Sequence, residues 1–249
     1  MKDLSVTIGV KKILDQVSVS VPKGTITAIV GESGSGKTTL ALSLLGLLSP
    51  VMQISAATLM VDGQSIIGAN TAAMNVLRGV KVGMVFQEPL QAFDPLFTVG
   101  FQMDETLRIH TSLNRADRRQ RMEEILQLAG LPATINVINR YPHQLSGGQR
   151  QRAMIALACV CYPSLLIADE PTSSLDSDTQ AQVLETFTHL NQTLGMAMLI
   201  ITHDLNVVKA IAHEIVVLKD GSIVEQGPVQ QVINNPMHPY TKRLIEASL

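Results

Sequence analysis

Alternating apolar and polar residues predict strands near the start of the chain. The alternation runs over residues 4–8 and again over 17–21, where a Pro-Lys-Gly turn ends it. Residues 26–30 form a short apolar run of the kind found in strands buried on both faces. After a glycine-rich loop, the apolar stretch 37–48 predicts a helix that Pro50 ends.

The second half of the chain alternates between strand and helix patterns. Helices are predicted over residues 150–161 and 179–194, and apolar strands over 165–168 and 198–201. Strands that alternate with helices in this way favour a parallel sheet covered by helices.

A central segment over residues 89–149 differs from the rest, because it holds most of the arginines and predicts a helix over 115–128. Within that helix Arg119 and Glu123 are spaced for an i,i+4 ion pair. We interpret its charges as a solvated helix face rather than a nucleic-acid surface.

Two Asp-Gly pairs, within residues 59–63 and 216–224, predict hairpins. The predicted fold class is therefore α/β, with a mixed, largely parallel sheet, an antiparallel β edge subdomain and an inserted α-helical subdomain. We expect a catalytic core over about 1–88 and 150–249, with the helical subdomain over about 89–149.

Composition agrees with one large globular unit. The 249 residues are 46% hydrophobic and 16% charged, and the net charge is −2, so neither global disorder nor a basic nucleic-acid face is expected. The apolar runs are shorter than the ~18 residues that a membrane span needs, and the N-terminus lacks the apolar core of a signal peptide. We expect a cytosolic chain whose membrane link comes through a partner.

Two cysteines, Cys159 and Cys161, lie within a predicted apolar helix. Their spacing could suggest a metal, but no nearby His or Cys completes a ligand set. Core packing is the favoured interpretation.

The glycine-rich loop matches the pattern G-x-x-x-x-G-K-[ST] and lies between a predicted strand and a predicted helix. Its backbone N–H groups and the helix N-terminus favour a phosphate, while Lys37 can reach the β and γ phosphates and Thr38 can ligate Mg²⁺. An ordinary glycine-rich turn is the alternative, which this placement makes improbable. The residues expected to bind ATP here are Gly31, Glu32, Ser33, Gly34, Ser35, Gly36, Lys37, Thr38 and Thr39.

The apolar strand 165–168 is followed by Asp169 and Glu170. Asp169 is placed to hold Mg²⁺ through water and Glu170 to polarise the attacking water. The alternative is a strand capped by acidic surface residues. The carboxyl ends of parallel strands share one crevice, so the functional interpretation is favoured.

Two further features complete the candidate site. His203 follows the strand 198–201 and could contact the γ-phosphate, although a lone histidine is more often structural. The sequence Leu145-Ser-Gly-Gly-Gln149 begins another predicted helix and supplies a second phosphate-ready N-terminus. Because the chain already has a phosphate loop, this second site could serve the nucleotide of another subunit.

In this order, the elements resemble those of ABC-transporter nucleotide-binding domains, over essentially the whole chain. The matching elements are residues 31–38, Gln87, 145–149, 165–170, 174–176 and His203. The resemblance implies a P-loop NTPase core and two such domains that close head-to-tail on two ATP molecules.

The resemblance also implies individual roles. Each ATP would lie between one subunit's phosphate loop and the other's Ser146, Gly147, Gly148 and Gln149. Gln87 would help to hold Mg²⁺ and sense the membrane partner. Asp176 would couple the two sites, and His203 would grip the γ-phosphate.

The partners implied are a second ABC ATPase subunit, identical or not, two integral membrane permease subunits and an extracytoplasmic substrate-binding protein. The expected location is peripheral, at the cytoplasmic face of the cell (inner) membrane. No nucleic-acid partner is expected.

One departure concerns adenine, which the family stacks on an aromatic ring in the first strand region. This chain has no Phe, Tyr or Trp before Phe86, and the matching position is Ile8, with Val10 as neighbour. Loss of the ring removes about 1 kcal/mol of stacking. We therefore expect weak discrimination between ATP and GTP.

The phosphate loop, the segment 87–95 and the motif 235–241 (Asn-Pro-Met-His-Pro-Tyr-Thr) resemble the peptide/nickel importer group. Many peptide-transporting members continue into a cysteine-rich tail, whereas this sequence stops at Leu249. We therefore expect nickel or metal-chelate uptake, with a di- or oligopeptide importer as the alternative. A soluble ABC ATPase of an iron–sulfur assembly scaffold is a further alternative, and a DNA-repair ATPase or small-molecule kinase is disfavoured.

Overall fold

The computed structural model describes residues 1–132 and 136–247 of the chain. Its strands are β1 Leu4–Ile8, β2 Lys11–Val17, β3 Ile26–Val30, β4 Met52–Ser55, β5 Met60–Val61, β6 Gln64–Ser65, β7 Val82–Val85, β8 Leu165–Asp169, β9 Ala197–Ile201, β10 Glu214–Lys219 and β11 Ser222–Pro228.

The α-helices are α1 Lys37–Leu45, α2 Thr71–Val76, α3 Val99–His110, α4 Arg115–Leu128, α5 Gly147–Cys159, α6 Ser177–Leu194, α7 Leu205–Ile211, α8 Val229–Asn234 and α9 Pro239–Glu246. Shorter helical turns cover Leu77–Lys81, Pro89–Gln91, Val137–Asn139 and Pro142–Gln144.

The main sheet has six strands in the order β11-β10-β3-β9-β8-β7. The strands β10, β3, β9, β8 and β7 run parallel, and β11 returns antiparallel to β10. Every residue of β3 and β9 is buried, as expected for strands with helices on both faces. The parallel strands therefore end at one edge, where the loops after β3, β7, β8 and β9 meet.

A second, antiparallel sheet in the order β2-β1-β4 lies against the loop between β3 and α1. The Asp15 N–H donates to Gly221 O at 2.9 Å, which joins this sheet to the β10–β11 turn. The Leu14 side chain is fully buried in a cluster that includes residues of α1 and the main sheet.

Helices α3 and α4 occupy the segment between β7 and α5. Met103 of α3 and Ile125 of α4 are fully buried in one cluster with Ile155 of α5 and Phe187 of α6. This helical layer therefore packs through α5 and α6 onto the main sheet. The predicted fold class is confirmed, and the subdomain boundaries stay a prediction.

Several predicted elements agree with the structure in both bounds, including β1, β3 and α4. The strand predicted over residues 17–21 is wrong, because β2 covers 11–17 and pairs with β1 there. Val19 lies beyond β2, where it exchanges two hydrogen bonds with Met1, at 3.1 and 2.8 Å. The helix predicted to reach residue 48 ends at Leu45, because Gly46 adopts a left-handed conformation with φ of 60° and caps it.

Candidate active site

The phosphate loop between β3 and α1 requires glycine at two positions for different reasons. Gly36 has a φ of 105°, which is strained for any residue with a Cβ atom. At Gly31 a Cβ atom would lie 2.1 Å from Leu218 O, so the loop touches the end of β10. These residues keep the loop tightly curled at the carboxyl edge of the sheet.

Lys37 begins α1 and points back into the loop. It is only 8% exposed, and its Nζ donates to Gly31 O at 2.8 Å and to Glu32 O at 2.9 Å. Burial lowers the pKa of the Lys37 ammonium, while the charges of Glu170 and Asp169 act in the opposite direction. The lysine is thus a partly desolvated cation that faces two carboxylates.

Asp169 and Glu170 are placed beside the phosphate loop by the register of the sheet. Asp169 pairs with Ile201 of β9, which itself pairs with Ile29 of β3. Burial raises the pKa of the Asp169 carboxyl, Glu170 adds to the rise, and a hydrogen bond from Thr38 together with the Lys37 charge opposes it. Asp169, Thr38 and Lys37 therefore form one electrostatic unit.

Glu170 and His203 contact each other directly. His203 Nδ1 lies 2.8 Å from Glu170 Oε1, the Glu170 side chain is 17% exposed, and the His203 side chain is 66% exposed. Glu170 has a φ of 48°, a strained conformation for a non-glycine residue that often marks functional sites. Its N–H donates to Ile201 O at 2.8 Å, which holds the backbone in this conformation.

Gln87 follows β7 and reaches the same site from the other side. Its Nε2 donates to Ser173 Oγ at 3.4 Å, and Ser173 Oγ donates to the Glu170 carbonyl. These groups enclose a cavity of about 590 Å³. Its lining consists of Ile13, Ser33, Gly34, Gly36, Lys37, Thr38, Thr39, Gln87, Asp169, Glu170 and His203.

The residues present fit a magnesium ion. Thr38 offers a hydroxyl, Gln87 an amide oxygen and Asp169 a carboxylate, which are the oxygen donors that Mg²⁺ accepts together with phosphates and water. Elsewhere, Cys159 is fully buried in the main cluster and burial raises its pKa to about 12, which agrees with core packing. Within residues 1–132 and 136–247, there is no group of three or more His, Cys, Asp or Glu side chains that could hold a metal ion.

The second predicted phosphate site lies outside the lining of this cavity. Ser146 caps α5, where its Oγ accepts from the Gln149 N–H at 3.3 Å and the Gln149 side chain accepts from the Ser146 N–H at 3.2 Å. At Gly148 a Cβ atom would lie 2.6 Å from Thr179 of α6, so the two helix N-termini are adjacent.

Asp176 caps α6 beside that site. Its carboxylate accepts from the Thr179 N–H at 3.0 Å and from the Thr179 hydroxyl at 2.8 Å, and these bonds lower the pKa of Asp176. We call residues 146–149 and Asp176 the signature face. At Gly147, which belongs to it, a Cβ atom would have no neighbouring heavy atom within 4 Å.

Ile8, at the end of β1, is 38% exposed and is outside the cavity lining, whereas Ile13 on β2 is part of it. Sequence reasoning missed Ile13, although its place on β2, which pairs with the strand that carries Ile8, was a usable signal. It also missed Tyr240, whose hydroxyl accepts from the Glu32 N–H at 3.0 Å. Within the described parts of the chain, none of the helices is long and apolar enough to cross a bilayer.

Comparison with known proteins agrees with this geometry. The family model described as "ABC transporter" matches residues 14–173. The dipeptide transport ATP-binding protein DppD of Escherichia coli K12 is 42% identical over 94% of this chain and 72% of its own length. The oligopeptide transport ATP-binding protein OppD of Lactococcus lactis is 40% identical over 96% of this chain and 70% of its own length.

Two solved structures share the fold. The ATP-binding cassette MJ0796, solved as a dimer in a post-hydrolysis state with ADP and Pi, has a TM-score of 0.76 at 28% identity and covers 91% of this chain and 98% of its own. CbiO1 of Clostridium perfringens, part of the ABC transporter complex cbiONQ, has a TM-score of 0.80 at 26% identity and covers 94% and 91% of the two chains. This chain therefore belongs to the ABC transporter family, as an ATP-hydrolysing subunit with the ATP-binding cassette fold.

Proposed function

We propose that this chain is the ATPase subunit of an importer for dipeptides or oligopeptides. The observation that carries the proposal is its 40–42% identity, over at least 94% of the chain, to ATP-binding proteins named for dipeptide and oligopeptide transport. The sequence favoured nickel uptake with peptides as the alternative, and these relatives support the alternative better. The nickel expectation used the position of the chain end, which carries no information about a substrate that this subunit does not touch.

ATP binds with its phosphates on the N–H groups of the loop 31–39 and at the N-terminus of α1. Lys37 moves from the loop carbonyls that now hold it to the phosphate oxygens, which are stronger partners for a partly desolvated ammonium. Thr38, Asp169 and Gln87 would hold Mg²⁺, which would neutralise phosphate charge.

Hydrolysis depends on Glu170 and His203. The Glu170 carboxylate accepts a hydrogen bond from the attacking water and takes its proton as the water oxygen bonds to the γ-phosphorus, and the bond to the ADP oxygen breaks. The contact between His203 Nδ1 and Glu170 Oε1 fixes both side chains. Nε2 of His203 is then available to the γ-phosphate.

The ATPase works as a dimer in which the signature face of one subunit covers the nucleotide of the other. Two observations support this arrangement: residues 146–149 are outside the lining of the chain's own cavity, and the related cassette MJ0796 is dimeric. The N-terminus of α5 offers free N–H groups and a partial positive charge to a phosphate. Asp176 lies beside it and links the two sites.

Membrane partners dock next to Gln87. The segment after it exposes apolar side chains, among them Leu90, Leu96, Phe97 and Phe101, and the last two rings stack at 4.6 Å between centroids. An exposed apolar group of this kind marks an interaction surface. We assign this apolar surface to contact with the two permease subunits, which hold the ATPase at the cytoplasmic face of the membrane. On the other side of the membrane, a substrate-binding protein delivers the peptide to the permeases.

The substrate class is tested by uptake in cells that lack this chain. Uptake of a radiolabelled dipeptide or tripeptide is expected to fall to background, while uptake of radioactive nickel is unchanged. Restoring the chain recovers peptide uptake, and the Lys37→Ala variant does not. A loss of nickel uptake with normal peptide uptake would reverse the assignment.

The partners are tested by tagging the chain and purifying it from detergent-solubilised membranes. Two integral membrane proteins are expected to co-purify in stoichiometric amounts. Recovery of the chain only from the soluble fraction, with assembly proteins in place of permeases, would favour the scaffold alternative.

A further inference from the structure

The motif over residues 235–241 has a structural link to the phosphate loop. Its Tyr240 lies in the first turn of α9 and is only 3% exposed. The Tyr240 hydroxyl accepts a hydrogen bond from the Glu32 N–H at 3.0 Å, across 208 positions of sequence. Because Tyr240 is outside the lining of the nucleotide cavity, any effect on ATP must pass through the loop backbone.

This hydrogen bond acts on one peptide group of the loop. The Gly31 carbonyl and the Glu32 N–H belong to the same planar peptide unit. The carbonyl accepts from Lys37 Nζ at 2.8 Å, and the N–H donates to Tyr240 at 3.0 Å. With both polar atoms bonded, the plane cannot rotate about the chain without losing a partner.

Tyr240 is itself held from several sides. Its N–H donates to His238 Nδ1 at 3.1 Å, and Lys219 Nζ lies 5.3 Å from its ring centroid. Glu225 on β11 accepts from the Met237 N–H at 2.8 Å and from the His238 N–H at 3.0 Å. The start of α9 is thus anchored to the β10–β11 hairpin, which also touches the loop at Gly31.

We propose that Tyr240 is a positioning residue of the ATP site, which fixes the Gly31–Glu32 peptide so that the phosphate loop is preformed before ATP arrives. The inference rests on the phosphate-binding role of the loop proposed above. If only a fraction of the molecules has the loop in its binding conformation, the apparent affinity for ATP is reduced by that fraction, because part of the binding free energy goes into ordering the loop. Once ATP is bound, its phosphates also hold the loop, so the conformation of the loop then depends less on Tyr240.

The test is Tyr240→Phe, which removes the hydroxyl and keeps the buried ring. Loss of the hydrogen bond with the Glu32 N–H, and of the hydroxyl's contact with the Glu32 side chain, is expected to raise the KM and the Kd for ATP about three- to tenfold, with kcat changed less than about twofold. The matched control is Tyr162→Phe. Tyr162 packs its ring on Arg121, 3.8 Å from the guanidinium carbon, and is outside the cavity lining, so its variant keeps both constants.

Both variants are compared by steady-state ATPase kinetics, ATP titration calorimetry and thermal unfolding. A purely structural role for Tyr240 predicts a lower unfolding midpoint and lower kcat at unchanged KM, and that result overturns the inference. Equal behaviour of the two tyrosine variants also overturns it. Lys37→Ala separates the two levels: if it abolishes binding while Tyr240→Phe has no effect, only this inference fails, whereas normal binding by Lys37→Ala removes the role of the loop as well.

Discussion

The nucleotide cavity and the signature face are built by opposite means. The cavity gathers side chains from the ends of parallel strands, where burial and mutual charge shift the pKa values of Lys37 and Asp169. The signature face uses the N-termini of two helices, where the Ser146 side chain accepts from the Gln149 N–H and the Asp176 side chain accepts from the Thr179 N–H. The cavity therefore concentrates charged side chains, whereas the signature face presents the backbone groups of two helix N-termini.

This difference explains why one chain makes only part of a working enzyme. In the cavity, Lys37 Nζ donates hydrogen bonds to two loop carbonyls, which an incoming phosphate can replace. At the signature face, the helix N–H groups that the caps leave free bind a phosphate only when the nucleotide of another subunit is brought to them. Equal responses of the two regions to substitution would contradict this difference.

The largest effect is expected for Glu170→Gln, which keeps the shape and removes the base. Turnover should fall by about 10²- to 10⁴-fold, while ATP still binds and holds two chains together. Steady-state ATPase assays and size-exclusion chromatography with ATP check both parts. Glu185→Gln, on an exposed position of α6, is the matched control and should behave as wild type. Normal turnover in Glu170→Gln would remove Glu170 from its assigned role.

The signature face is probed by Ser146→Ala against Asn114→Ala. Both serve as helix caps, since the Asn114 side chain accepts from the Asp117 N–H at 3.0 Å, so each variant should lose about 1 kcal/mol of stability. Only Ser146→Ala should also lose about tenfold to a hundredfold in ATPase activity, because a phosphate contact in the dimer goes with it. ATP binding to the monomer stays unchanged. Equal activities in the two variants, or full activity in a strict monomer, would contradict the shared site.

Much of the fold could be predicted, because hydrophobic periodicity reports strands and helices that pack against one core. It located β3, α4, β8 and β9 within a residue or so. It failed where a glycine conformation decides the end of a helix, as at Gly46, and where strand pairing decides the bounds, as at residues 17–21. Those outcomes depend on backbone geometry and on a partner strand that no local pattern contains.

Where a motif carries the chemistry, the sequence indicates individual site residues, and their roles stay predictions. Lys37, Asp169, Glu170 and His203 do line one cavity, as the shared edge of a parallel sheet requires. Local patterns did not indicate the Glu32–Tyr240 hydrogen bond, because its two members are 208 positions apart. Ile13 was likewise not indicated: it lines the cavity, whereas Ile8, the position expected near adenine, does not.

A smaller effect is expected at the adenine end of the cavity. Wild type should discriminate weakly between ATP and GTP, because an aliphatic side chain replaces the usual ring. The Ile13→Phe variant puts a ring at the aliphatic position that lines the cavity and should add about 1 kcal/mol of stacking, so the affinity for ATP should rise about fivefold. Competition between labelled ATP and unlabelled GTP measures it, with Ile54→Phe on the exposed part of β4 as control. A strong adenine preference in the wild type would contradict the prediction.

The smallest effect concerns Glu225, which supports the cavity from outside through α9. Burial acts to raise the pKa of the Glu225 carboxyl, but the Met237 N–H, the Thr241 side chain, the His238 N–H and the His238 charge together outweigh it, so the pKa lies below its ordinary value. A group whose pKa is lower in the folded chain contributes stability above its unfolded pKa of about 4.3 and loses it as the pH falls through the folded value.

The Glu225→Gln variant should therefore have a lower unfolding midpoint than wild type at pH 7, and the two midpoints should converge as the pH falls below about 4. Thermal unfolding between pH 7 and about pH 2.5 measures the difference. The control is Glu105→Gln, whose exposed carboxylate is held only by the loose 3.8 Å ion pair with Arg108. Because Glu225 anchors the segment that carries Tyr240, its variant should also raise the KM for ATP slightly, whereas variants of the signature face leave ATP binding by the monomer unchanged. A Glu225→Gln offset that is independent of pH would mean that the carboxylate charge is not what holds the start of α9.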